Sequence, residues 1–347
     1  MCELVVNLKN IKRNVEQKKA ALKNGCRFCA VVKANAYGLG AEKVAAAIES
    51  DVDYFAVARV EELRKLRESG IFRPVIVLGS LSALEMEKCL CLNGEMQINS
   101  LSELENVSSV AKKLGKLALV HLAFDTGMGR FGFCVDEAQK ISLFVKSLEC
   151  VCVKGVMSHF FETSSRVNTE KQRKEFEKVI PFFSGCIFHI ASSGAAEIEG
   201  CQYDMVRVGI DLYVGKHPVV SFAANVLQVK TIEAGISCGY DGCFVAEKRT
   251  KIATISVGYA DGVPRHAKGA NVLICGEMCQ IVAVCMDSLI VALPDWLDVS
   301  NGAQAFIVGG SQKNCLTIFD FARSCDTIVY EILTGISSRV KRKYVYR

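Results

Sequence analysis

Eight short apolar runs, each followed by a stretch with helical periodicity, occupy most of the first two thirds of the chain and restrict its fold more than any other feature. They are Phe28 to Lys33, Tyr54 to Ala58, Val75 to Leu78, Met96 to Asn99, Leu117 to Phe124, Val151 to Ser158, Cys186 to Ala191 and Met205 to Tyr213. Between them the apolar period lengthens from about 2 to about 3.6, as in Val60 to Glu68 and Leu101 to Leu114. Strands that alternate with helices in this way pair in parallel. Eight such units predict an α/β fold built on a closed (β/α)8 TIM-type barrel, with its chemistry at the carboxyl ends of the strands. At 347 residues and 50% hydrophobic content, the chain can bury that core and still form a second domain.

The texture changes after Lys216-His217-Pro218. Closely spaced β-type runs follow at Asn225 to Ile232, Lys251 to Val257, Asn271 to Ile274, Gln280 to Val284, Leu289 to Leu293 and Gln304 to Val308, punctuated by Asp-Gly turns at 241–242 and 261–262. A helical pair, Leu316 to Ala322 and Thr327 to Leu333, precedes a last strand at Val340 to Tyr346. The pattern predicts a barrel over residues 9–218 and a mainly β C-terminal domain over residues 219–347, which the N-terminal strand, residues 1–8, joins.

Several function classes are disfavoured. No run of 18 or more apolar residues occurs, and Met1-Cys2-Glu3-Leu4 lacks the basic then apolar start of a secretory signal, so a cytoplasmic location without membrane association is expected. The net charge of +5 is mild and spread along the chain, apart from Arg339, Lys341, Arg342, Lys343 and Arg347. That tail lacks interleaved aromatics and reads as a solvated terminal strand, so no nucleic-acid partner is expected. Seventeen cysteines in a chain without an export signal read as buried thiols. The Cys26-Arg27-Phe28-Cys29 pair has no second pair or histidines at zinc spacing, and no metal is expected.

One stretch carries the chemistry. Val31-Val32-Lys33-Ala34-Asn35-Ala36-Tyr37-Gly38-Leu39-Gly40 delivers a lysine at the mouth of a buried strand, before a glycine-punctuated loop. There the amine loses hydration, its pKa falls and it can attack a carbonyl, which is what Schiff-base chemistry requires. The string V-V-K-A-N-A-Y-G-L-G closely resembles the N-terminal signature of alanine racemases, a pyridoxal 5'-phosphate (PLP) family of the fold-type III barrel class. Later motifs follow in the family's order almost to the end of the chain.

The resemblance implies roles for further residues. Lys33 would carry the cofactor, and His159, in Ser158-His159-Phe160, would pack on its ring. Arg207, in the M-V-R-x-G-I-x-L-Y segment of 205–213, would face the pyridine nitrogen and, having no acceptor, leave it unprotonated. Ser193, Gly209, Ile210, Tyr37 and Tyr330 would bind the phosphate. Tyr240 stands nineteen residues before Tyr259 of the G-Y-A-D-G loop, which matches the family's spacing for a catalytic tyrosine. Family members more often place serine before and glycine after that tyrosine, where this chain has Gly239 and Asp241. Arg130, together with Met286 and Asp287 of Cys285-Met286-Asp287, would meet the substrate carboxylate and orient the site.

The implied activity is interconversion of L- and D-alanine by two bases, Lys33 and Tyr240, one for each face of Cα. Tyr240 would come from the second subunit of a homodimer with shared sites, and the product D-alanine would supply cell-wall peptidoglycan. Racemases for serine, lysine or a broad set of amino acids share the scaffold. A non-catalytic PLP-binding protein would need neither Tyr240 nor the β domain, and a fold-related decarboxylase would place an acidic partner where Arg207 stands. One departure stands out: many members carry a carbamylated lysine two residues before D-T-G-M-G-R, and here that position is Ala123. A partly buried Arg130 without that partner is expected to attract an anion such as chloride, or ordered water; the alternatives are a swung carboxylate or relaxation toward solvent.

Overall fold

Each apolar run of the first part forms a strand, and all but the sixth, whose first four residues are intermediate or exposed, are buried on both faces or nearly so, as strands of a parallel sheet covered by helices must be. In the computed structural model, which describes residues 2–311 and 314–346, these strands are β1 (Arg27–Val31), β2 (Tyr54–Val57), β3 (Val75–Val77), β4 (Glu95–Ile98), β5 (Ala118–Asp125), β6 (Val151–Met157), β7 (Ile187–His189) and β8 (Met205–Val208). All neighbours pair in parallel in the order β8-β1-β2-β3-β4-β5-β6-β7. The circle is closed by backbone bonds, Asp204 N to Phe188 O at 3.0 Å and Arg207 N to Ala191 O at 2.9 Å. With the helices between the strands, these residues make up one compact unit, Ile11–Ala36 and Gly40–Gly215.

The helices begin and end where local chemistry dictates. Helix α1 (Val60–Glu68) buries Val60, Leu63 and Leu66 along one stripe, with Glu61 and Glu62 in its first turn and Lys65 and Arg67 in its last. Helix α2 (Leu101–Leu114) is capped by the Ser100 hydroxyl, which accepts from Glu103 N at 3.2 Å. It stops at Gly115, whose φ of 62° lies in the left-handed region.

Two boundaries differ from the sequence expectation. The first strand ends at Val31, and Lys33 opens a left-handed turn in which Ala34, Asn35, Ala36 and Tyr37 have φ of 52°, 57°, 51° and 55°. A run of apolar residues cannot signal this, because side-chain pattern reports burial and not the sign of φ. The eighth run was expected to be extended through Tyr213, but β8 stops at Val208 and Ile210–Val214 forms a short helix, α3. Its buried residues, Ile210, Leu212 and Tyr213, fit a helical turn as well as a strand over so short a span.

The second unit comprises Met1–Asn10, Tyr37–Leu39 and Lys216–Arg347. Its strands β9 (Val220–Ile232), β10 (Thr250–Ile255), β11 (Asn271–Ile274), β12 (Glu277–Val284), β13 (Leu289–Leu293) and β14 (Gln304–Gly310) pair antiparallel in the order β9-β10-β13-β12-β11-β14. Strand β14 returns to pair with β9 and closes the ring. Glu3–Asn7 adds to the outer part of β9, and Lys341–Val345 lies parallel to it. The basic C-terminal segment is a terminal strand whose Arg339, Lys341 and Lys343 are exposed, as expected, while Arg342 is drawn into the structure and Arg347 lies outside the described residues. Arg342 donates to Gly38 O at 3.2 Å, Val340 O at 2.7 Å and Ile336 O at 2.6 Å, and Arg339 pairs with Asp287 at 2.7 Å.

Candidate active site

The carboxyl ends of the barrel strands converge on Lys33. Burial lowers its pKa, the nearby Arg130 and Arg207 lower it further, and only Glu62 opposes them. The turn that holds Lys33 is secured by Ala36 N to Val32 O at 2.8 Å and by the Asn35 side chain, which accepts from Ala41 N at 2.9 Å. Four successive non-glycine residues at positive φ are costly, on the order of 1 kcal/mol each, and such strain persists only where surrounding bonds hold it.

Arg207, on β8, is 4% exposed. Its Nη1 donates to His189 Nδ1 at 2.7 Å and His189 O at 3.0 Å, and its Nη2 to Ser158 O at 2.7 Å, with His159 Nδ1 and Ile190 O each at 3.3 Å. Both Nη groups are therefore engaged, and among the described residues no acceptor takes the Nε–H. Burial brings the guanidinium pKa down to about 10. His159 is held neutral, its pKa pushed down to about 3 by burial and then by Arg207, Arg130 and Lys33.

The remaining barrel candidates lie on adjoining loops. Ser193 Oγ accepts from Gly209 N at 2.9 Å, so these two groups of the expected phosphate cup meet each other directly, with Ile210 next in sequence. Asp125 Oδ1 ties down the D-T-G-M-G-R loop by accepting from Gly127 N at 2.9 Å and Gly129 N at 3.1 Å. Arg130, expected to be partly buried, is exposed, packs over Phe131 at 5.8 Å and makes no ion pair among the described residues. Ala123, buried on β5, is too short to reach it.

Sequence reasoning missed two groups of residues here. Gln172 is 1% exposed and donates from Nε2 to Thr126 Oγ1 at 3.2 Å and His159 O at 3.0 Å, so it braces the Arg130 loop against the His159 segment. Glu95, His121 and His189 form a buried line behind Arg207, with His121 Nε2 2.6 Å from Glu95 Oε2 and His121 Nδ1 2.9 Å from His189 Nε2. A carboxylate and two imidazoles inside largely apolar strands were the available signal. The Cys26-Cys29 pair is a different case: burial pushes the Cys29 thiol up to about 12, which opposes the thiolate that metal or redox use needs.

The other candidates belong to the second unit. Tyr37 and Tyr330 face each other with ring centroids 6.1 Å apart, and burial raises the Tyr37 phenol. Tyr240 is 64% exposed, on a tight turn after Gly239. The departures from the family string have a local cause. Gly239 has φ of 80°, and a Cβ there would lie 2.6 Å from Cys243 Sγ, while Asp241 at φ 56° occupies a left-handed position that aspartate tolerates. The Tyr259 loop docks on the Met286 turn through Tyr259 N to Cys285 O and Ala260 N to Met286 O, both 3.0 Å. Asp287 is exposed and paired with Arg339.

Residues 6–217 match the model of the alanine racemase N-terminal domain, and residues 219–344 that of the C-terminal domain. The alanine racemase of Limosilactobacillus fermentum is 36% identical over 366 residues, covering 99% of this chain and 97% of that protein. The crystal structure of the biosynthetic alanine racemase of Pseudomonas aeruginosa matches with a TM-score of 0.92 at 29% identity, over 99% of both chains. That of Bartonella henselae, with covalently bound pyridoxal phosphate, matches with a TM-score of 0.91 at 30% identity, again over 99% of both chains.

Proposed function

Because the chain belongs to the alanine racemase family, which is PLP-dependent, we propose that it interconverts L- and D-alanine with that cofactor held on Lys33. The observation that carries this reading is the surround of Lys33. The amine has a lowered pKa and lies among cationic or donor groups, Arg130, Arg207 and His159, so an anionic, carbonyl-bearing group fits there. The Nε–H of Arg207 is the donor left for a pyridine nitrogen. A guanidinium cannot protonate that nitrogen, and this restrains side reactions such as transamination. Ser193, Gly209, Ile210, Tyr37 and Tyr330 would hold the phosphate, and His159 would pack on the ring.

PLP, when bound, supplies the electron sink that acidifies the Cα–H of alanine. The chain supplies the rest. Inversion needs a proton taken from one face of Cα and another delivered to the opposite face. Lys33 Nζ serves the D face, and the phenol of Tyr240 serves the L face. Arg130 and the backbone NH of Met286 position the carboxylate, with Asp287 orienting the site. The exposure of Tyr240 in the single protomer supports its use by a second copy, in a homodimer whose two sites are shared. No described helix is long and apolar enough to cross a membrane. We place the enzyme in the cytoplasm, supplying D-alanine for peptidoglycan.

A chiral assay of purified protein against a panel of L-amino acids tests this, with alanine expected to be turned over fastest and serine or lysine slowly if at all. Lys33→Ala should abolish racemisation and borohydride trapping of the cofactor together. Tyr240→Phe should lower the rate on the order of 10² to 10⁴-fold. Mixed dimers carrying one change on each chain should retain a single working site. Wholly inactive mixed dimers would overturn the sharing, and a preference for another amino acid would overturn the substrate.

A further inference from the structure

We propose that Glu95 is a positioning residue for Arg207: through His121 and His189 it terminates a one-way chain of hydrogen-bond donation that fixes both imidazoles as neutral rings protonated on Nε2. The catalytic consequence rests on the function proposed above, whereas the ring states do not.

The direction of the chain follows from what each group can give. Arginine has donors only, so at 2.7 Å His189 Nδ1 must accept from Arg207 Nη1. His189 is wholly buried, and desolvation followed by Arg207 keeps it neutral, so its single proton lies on Nε2. That proton points at His121 Nδ1, 2.9 Å away, which must in turn accept. The His121 proton is thereby placed on Nε2, 2.6 Å from Glu95 Oε2, and the carboxylate closes the chain. The opposite direction would set an N–H of His189 against an N–H of Arg207.

The fold is built around this line. Glu95 is 5% exposed and both histidines are 0% exposed. Tyr54 packs edge-on against the His121 ring, and Gly155 on the neighbouring strand leaves the room the ring needs, since a Cβ there would stand 2.2 Å from His121 Nδ1. Arg207 has no carboxylate in direct contact among the described residues, so the negative end of the line is Glu95, two rings away. A buried cation requires such compensation. The line holds Nη1 by its acceptor while the carbonyls of Ser158 and Ile190 hold Nη2, and this leaves Nε–H as the donor that faces a ligand.

Selective ¹⁵N-histidine labelling and long-range ¹H–¹⁵N correlation on the cofactor-free protein read the two ring states directly. Both buried rings are expected to be neutral Nε2–H tautomers; a proton on Nδ1 of either ring in the wild type overturns the proposal, whatever the variants do. Glu95→Leu should leave the His121 Nε2–H without its acceptor and move its ¹H and ¹⁵N signals, lower kcat/KM for alanine by about 10- to 100-fold, as loss of such supporting partners commonly does, and raise the pyruvate released per racemisation event. Pyruvate release reports turnovers in which the amino group stays on the cofactor. Glu95→Gln keeps an acceptor and should restore the His121 Nε2–H signal and most of the rate. If Glu95→Leu folds with wild-type His121 and His189 ring signals and an unchanged pyruvate ratio, Glu95 does not position Arg207. Correct ring states in a protein that does not racemise alanine would instead sink the proposed function. Should Glu95→Leu fail to fold, the wild-type spectrum alone decides.

Discussion

Gly155→Ala is the most demanding single test of the barrel interior. The added methyl would lie 2.2 Å from His121 Nδ1, 2.7 Å from His121 Cε1 and 2.9 Å from Ile187 O. The carbonyl belongs to the backbone of β7 and cannot yield, and the imidazole is clamped between Glu95 at 2.6 Å and His189 at 2.9 Å, so it is the ring that must leave. Each bond then abandons a buried partner at about 1–3 kcal/mol. Overpacking of a filled core adds about 1–3 kcal/mol. The expected loss, about 3–9 kcal/mol, is comparable to the whole stability of a domain, about 5–15 kcal/mol. Urea unfolding of the cofactor-free protein, followed by circular dichroism, should show a midpoint that falls by half or more, or no folded baseline at all. A loss below about 1 kcal/mol would mean that the ring can move aside cheaply, contrary to the packing reasoned here.

Three further perturbations have definite signs. His159 and His189 are held neutral below the ordinary histidine pKa, so the unfolded chain binds more protons than the folded one below about pH 6.5; stability should fall as pH drops from there toward 3, by up to about 1.4 kcal/mol per pH unit for each ring. Urea midpoints at pH 7, 6 and 5 measure this, and a flat profile would contradict it. Ala34 is exposed and sits at φ 52°, so Ala34→Gly should raise the stability of the cofactor-free protein by about 1 kcal/mol, read as a higher Tm; a lower Tm would show that the turn is not strained there. Ala123 offers no amine to carbon dioxide, so racemisation should be the same in carbonate-free buffer and in added bicarbonate, and Ala123→Lys should make it bicarbonate-responsive. Loss of wild-type activity on removing carbon dioxide would refute this.

What the linear chain determined by itself was the register of burial. Runs such as Tyr54 to Ala58 and periodic stretches such as Leu101 to Leu114 became the expected strand and helix because burial follows side-chain pattern, and pattern is local. The string around Lys33 and the ordered motifs after it sufficed to indicate the family. What required the tertiary structure was everything that depends on the sign of a backbone angle or on which strands become neighbours. The left-handed turn from Ala34 to Tyr37 leaves no trace in hydrophobic spacing, because a residue's polarity says nothing about φ. Asp287, assigned by analogy, turned out to be paired with Arg339, fifty-two positions away. Glu95, His121, His189 and Arg207 are each a polar residue in a largely apolar strand. They become one line only when four strands far apart in the sequence close into a barrel, since a hydrogen bond is decided by distance in space and not along the chain.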